Sequence, residues 1–153
     1  MTLLPNHYET FVLTQPSLET IKKIRDATTS KTLVPGHPSG ARFTGWVKEN
    51  RFRVSLKISK PNNYIPLVTG RIEPTSTGCL VFVTYKLFPV TKMFLVFWSA
   101  FILLAGTIAG YQYRSVPYVA GAILLLGAVH WITWSNFRLQ LKFTHQALLD
   151  VLV

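Results

Sequence analysis

Hydrophobic and polar positions alternate over Arg51 to Ser59: Phe52, Val54, Leu56 and Ile58 fall on one side, Arg51, Arg53, Ser55 and Lys57 on the other. That period of two predicts a half-buried strand. Similar short runs predict strands over Tyr8–Thr14, Phe43–Lys48, Leu67–Glu73 and Cys79–Phe88, separated by turn residues at Glu49–Asn50, Pro61–Asn63 and Pro74–Gly78. Between the first two strands the period changes. Leu18, Ile21 and Ile24 recur at helical spacing within Ser17–Ser30, with Thr14 or Ser17 as a cap and Pro16 suited to the first turn. Lys31–Arg42 reads as a loop, broken by Pro35, Gly36, Pro38 and Gly40. Short strands with turns between them predict an antiparallel meander, solvated on one face and covered by the helix on the other.

After this point polar positions almost vanish. Met93–Gly110 runs 18 residues without a charge, and Tyr118–Trp134 has only His130 as an ionisable group. At ~1.5 Å per residue each span covers about 25–27 Å, close to a hydrocarbon core of about 30 Å. Tyr111–Pro117 between them is short enough only for a tight turn. Two such helices exceed what the soluble core of a 153-residue chain can bury. They are therefore read as a transmembrane hairpin rather than as a buried one. In the tail, Phe137–Phe143 alternates like a strand, whereas Phe137, Leu141, Leu148 and Leu152 share a helical face; the second span could simply continue, and the preferred reading is a helix packing back on the sheet. The expectation is an α+β fold: a small antiparallel sheet with one or two helices, interrupted by a two-helix transmembrane hairpin before a C-terminal helix. Its parts are a cytoplasmic basic domain over 1–89, the hairpin over 90–135 (spans about 93–110 and 118–134) and a cytoplasmic helix over 136–153.

Charge sets the orientation. Of 16 Lys and Arg, against six Asp and Glu, all but four lie before residue 90. Lys86 and Lys92 precede the first span and Arg138 and Lys142 follow the second, while the intervening turn has Arg114 alone. The positive-inside bias predicts both termini in the cytoplasm. Tyr111, Tyr113 and Tyr118 would mark the outer interface; Trp131, Trp134 and Phe137 the inner one. Thr2–Pro5 is too short an apolar cluster for a secretory leader, so none is expected. Gly106, Gly110, Gly121 and Gly127 are candidate helix-packing positions, within the hairpin or between copies of it. His130 is expected near the inner interface with a local hydrogen bond. A mean hydropathy of +0.30 excludes a disordered chain. The single Cys79 excludes a disulfide framework.

Candidate chemistry is sparse. Glu9, Glu19, Asp26, Glu49, Glu73 and Asp150 form no recognisable acid/base pair, and His7, His37, His130 and His145 have no metal-ligand spacing. No GxSxG, P-loop or GxGxxG is present, and the prolines of Gly36–Gly40 remove or constrain the amides a phosphate cradle needs. No catalytic residue, metal or cofactor is expected. The positive charge is the informative feature. Arg51, Arg53 and Lys57, with Lys86, Lys92, Arg138 and Lys142, are candidates for contact with anionic lipid.

Phe43–Val54, Pro61–Pro66 and Gly70–Pro74, followed by Lys86-Leu-Phe-Pro-Val90, resemble a group of small uncharacterised bacterial two-span membrane proteins with a cytoplasmic β-rich domain. Tyr64 stands where that group usually has Phe. The resemblance implies the architecture and a bacterial inner (plasma) membrane, and transfers no activity. The expected function is a non-enzymatic integral membrane protein. Its cytoplasmic module would act as an accessory or assembly subunit, with membrane lipids and a protein partner, or a homo-oligomer through the hairpin, but no nucleic acid. One alternative is a binder of lipid or of an apolar small molecule, since the element order is similar to helix-grip folds, in which a terminal helix closes a cavity beneath a sheet. The support for it would be a cavity lined by Phe52, Val54, Leu56, Val81, Val83 and the tail leucines. A membrane-tethered enzyme of unknown type is the other alternative.

Overall fold

The computed structural model describes residues 5–29, 41–57 and 62–152. In chain order the elements are β1 (Asn6–Leu13), α1 (Ser17–Asp26), β2 (Thr28–Thr29), β3 (Phe43–Lys48), β4 (Arg51–Leu56), β5 (Leu67–Thr75), β6 (Gly78–Lys86), α2 (Pro89–Gln112) and α3 (Val116–Leu152). The strands form one sheet in the order β1-β6-β5-β4-β3-β2. The fold is α+β, with two long apolar helices inserted between the sheet and the end of the chain.

Local chemistry explains the boundaries. Pro16 precedes α1, and its carbonyl accepts from the backbone N–H of Glu19 and Thr20 at 3.1 Å each. The sequence pattern carries α1 to Ser30, but the helix stops at Asp26. There Thr28 Oγ1 donates to Ile24 O at 2.6 Å and the Phe43 N–H donates to Ala27 O at 3.0 Å. The β-branched pair Thr28–Thr29 then forms β2, which runs parallel to β3. The sheet is therefore mixed, where the sequence pattern predicts a purely antiparallel one of five strands. The other pairings are antiparallel. Glu49 takes a left-handed φ of 35° in the two-residue link between β3 and β4, the conformation a tight hairpin needs. Most of the Lys31–Arg42 loop, Pro61 of the Pro61–Asn63 turn and the end of the predicted 51–59 strand lie outside the described residues.

The core lies on one face of the sheet. Phe43, Phe52, Val54, Val68, Ile72, Val81 and Val83 meet Ile21 and Ile24 of α1 and Phe137, Leu148 and Leu152 of α3. Phe52 is paired with Gly70 across β4 and β5, and its ring occupies the space that a Cβ at Gly70 would need. Of the residues that would line a ligand cavity, Phe52, Val54, Val81, Val83, Leu148 and Leu152 are buried in this core, and Leu56 and Leu141 are partly buried against it. Cys79 is buried, 3.4 Å from Thr20 Oγ1.

Both long helices exceed their predicted lengths. Pro89 sits in the first turn of α2, where its missing N–H costs nothing. The helix α3 has no break between the second apolar stretch and the tail. It runs 37 residues, about 55 Å, so the 135/136 boundary falls inside it. Its C-terminal half touches both sides of the sheet: His145 reaches Glu9 on β1, and Asp150 accepts from Arg42, just ahead of β3, at 2.7 Å. Five residues of helix rise only about 7.5 Å. Four strand spacings from β1 to β3 measure about 19 Å. Side-chain reach covers the difference, so this end of α3 lies across the inner face of the sheet. The apolar parts of α2 and α3 are long enough to cross a membrane and almost wholly unburied, which separates them from the core helices of a soluble protein.

Candidate interaction surface

Strand alternation sends every second residue away from the helices, and the register aligns these residues into rows. One row reads Lys48, Arg51, Arg71, Phe82, Thr10 across β3, β4, β5, β6 and β1; the next reads Trp46, Arg53, Thr69, Thr84, Tyr8. Lys48, Arg51, Arg53, Arg71, Trp46, Phe82 and Tyr8 are all exposed. Neighbouring strands lie about 4.8 Å apart, so three cations stand side by side in the first row. Arg71 pairs with Glu73 on its own strand. Lys48 Nζ sits 5.9 Å from the centre of the Trp46 ring. Among the described residues Arg51 and Arg53 have no carboxylate partner. Like charges directly opposite one another destabilise a sheet, so this row works against folding rather than for it.

The other basic candidates lie elsewhere. Lys57 is exposed just past β4, its N–H donating to Arg42 O at 2.8 Å. Lys86 closes β6 and Lys92 lies in the first turns of α2, both half-buried. Arg138 and Lys142 are exposed on α3, with the Arg138 guanidinium 5.5 Å from the Trp134 ring centre. The last four flank one end of the apolar hairpin. At the other end the turn holds Arg114, with a left-handed φ of 46°.

The glycines divide. A Cβ at Gly106 would overlap Ala122, and one at Gly110 would overlap Val119, so both sit in the α2–α3 seam. Gly121 and Gly127 have nothing within 4 Å and face outward. Gly127, with His130, Trp131, Trp134 and Arg138, lines a shallow groove of about 310 Å³. His130 Nδ1 lies 3.1 Å from Leu126 O, one turn back on its own helix.

The fold also brings together groups that no spacing connects. His145 Nδ1 lies 2.9 Å from Glu9 Oε2, and the Tyr85 ring is 5.9 Å from His7 and 6.5 Å from His145. The Tyr85 hydroxyl is buried and has no hydrogen-bond partner among the described residues. Burial, and secondly the charge of Glu9, raise its pKa far above the ordinary phenol range. The phenol therefore stays protonated even at alkaline pH where an exposed tyrosine ionises. These groups join α3 to β1 at the border of the core. No cluster of His, Cys, Asp or Glu among the described residues could hold a metal ion. Lys48 and Arg71 belong to the surface as much as Arg51 and Arg53 do, although alternation within one strand does not reveal it. The signal was the two-residue turn at Glu49–Asn50, which sets Lys48 opposite Arg51. No family model matches the chain, and no curated protein and no solved structure matches it either.

Proposed function

We propose that this protein is a non-enzymatic component of the bacterial inner (plasma) membrane, with both termini in the cytoplasm. Its cytoplasmic domain is an interaction module, an accessory or assembly subunit that presents the outer face of its sheet to a protein partner. The observation that carries this reading is the continuity of α3. The helix that crosses the bilayer is also the post against which the sheet's inner face packs. A sheet packed along a helix has its face normal perpendicular to the helix axis. Transmembrane helices tilt about 20° from the bilayer normal, so the sheet stands upright and its open face looks along the membrane, toward neighbouring proteins.

Lipid contact then falls to the membrane-side rim. Lys86, Lys92, Arg138 and Lys142 hold anionic headgroups there, at about 1 kcal/mol per basic residue near the surface. Arg51 and Arg53 turn to the partner, and Lys57, beside Arg42 and hence near Asp150, lies toward the far end of α3. The close packing of Phe52 on Gly70 within the core supports a surface function over an enclosed apolar ligand. Native mass spectrometry of the protein extracted from its own membrane in mild detergent is expected to find a stoichiometric second protein. A lone chain, or a homo-oligomer carrying only a defined lipid, would overturn the reading.

A further inference from the structure

We infer that the open sheet face recognises an acidic protein segment in extended conformation, held by Arg51 and Arg53 and flanked by Lys48, Arg71 and Trp46. This inference rests on the interaction-module reading above and names the chemistry of the partner. The first support is charge complementarity. Four cations occupy adjacent positions on three strands; of the two carboxylates beside them, Glu73 is bound to Arg71 and Glu49, in the turn between Lys48 and Arg51, makes no ion pair among the described residues. Arg51 and Arg53 lie two residues apart on β4, about 6.6 Å along the strand. Alternate side chains of an extended segment repeat at nearly that distance. Acidic residues at every second position would therefore meet Arg51 and Arg53 in turn, each guanidinium offering a two-pronged contact to a carboxylate.

The second support is energetic. Arg71 has Glu73, but Lys48 and Arg51 stand directly opposite one another with no carboxylate partner among the described residues, which opposes strand pairing, and a partner's carboxylates remove that repulsion. Trp46, 44% exposed opposite Arg53, adds an apolar contact at the edge of the charged field.

Two other anionic partners fit less well. Single-stranded nucleic acid needs successive aromatic platforms for its bases. Trp46 and Tyr8 share a row, but Arg53, Thr69 and Thr84 stand between them. Lipid headgroups lie at the rim, whereas this face looks along the membrane.

The test uses the full chain in nanodiscs of phosphatidylcholine, with a fluorescent peptide alternating Glu and Ser as the probe. Binding is expected, weakening as salt rises. Arg51→Glu with Arg53→Glu is expected to raise Kd about tenfold or more, and the milder Arg51→Gln with Arg53→Gln to weaken binding while leaving the melting temperature unchanged or raised. Lys22→Glu with Lys23→Glu, on α1 across the sheet, is expected to change Kd little. Equal binding by wild type and the Arg51/Arg53 variants would overturn the assignment. Tighter binding of oligothymidylate of equal charge would overturn it in favour of nucleic acid. Native mass spectrometry of the double Glu variant separates the two levels. A partner still bound to that variant sinks this surface alone, whereas a wild-type chain with no partner sinks the module reading itself.

Discussion

Replacing Leu148 by aspartate is expected to unfold the sheet domain while leaving the hairpin intact. Leu148 is fully buried, on the half of α3 that packs into the sheet core. Removing a buried leucine side chain down to alanine costs about 2–5 kcal/mol. Aspartate adds an unpaired charge in an apolar layer. Domains of ordinary size are stable by about 5–15 kcal/mol, so the sum takes most or all of the reserve. Limited proteolysis in nanodiscs should then cut within the strands and spare a fragment containing α2 and the first half of α3. Gln146→Asp, on an exposed position two residues away, should keep the wild-type pattern. Protease resistance of the Leu148→Asp domain equal to wild type would show that the tail of α3 contributes little to the core.

The second large effect is expected at Gly70. Its β5 position faces Phe52 of β4 in register, and the Phe52 ring lies over it. Valine there would drive its Cβ into the ring, and Phe52, 2% exposed, has no room to swing aside without leaving the core. Overpacking of this kind costs about 1–3 kcal/mol. The cause can be isolated by a double-mutant cycle. Phe52→Ala empties the contested space, so Gly70→Val should be much less damaging on that background. Thermal melts of the four proteins give the coupling. Strictly additive losses would mean that the ring is not what excludes a side chain at Gly70.

Much of this architecture is legible in the chain because it rests on local signals. The alternation of Arg51–Leu56 marks β4 and its buried face without help from any distant residue, and two uncharged stretches mark the hairpin. Legibility ends where an outcome depends on a distant partner. The two-residue β2 exists only because Ala27–Thr29 meets the start of β3, and two residues carry no periodicity of their own. The tail has competing periods of two and 3.6, and continuity with the preceding apolar stretch, together with packing of Phe137, Leu148 and Leu152 in the core, settles it as helix. Gly106 and Gly121 look alike in sequence, yet only the rotation of each helix in the hairpin decides which one meets the other helix. Glu9 and His145 come together through topology alone. On the open face, Arg51 and Arg53 are readable from alternation, whereas Lys48 and Arg71 join them only once the register is known.

The proposed function requires α3 to be one unbroken post between bilayer and sheet, because that continuity would stand the basic face upright. Pulsed electron spin resonance between labels at Val116→Cys and Gln146→Cys in nanodiscs tests this directly, with the buried Cys79 left unlabelled. A continuous helix places these backbone positions about 45 Å apart, in a single narrow distribution that is insensitive to lipid charge. A shorter or broad distribution would put a hinge near Ser135, free the sheet to lie on the headgroups, and contradict the account.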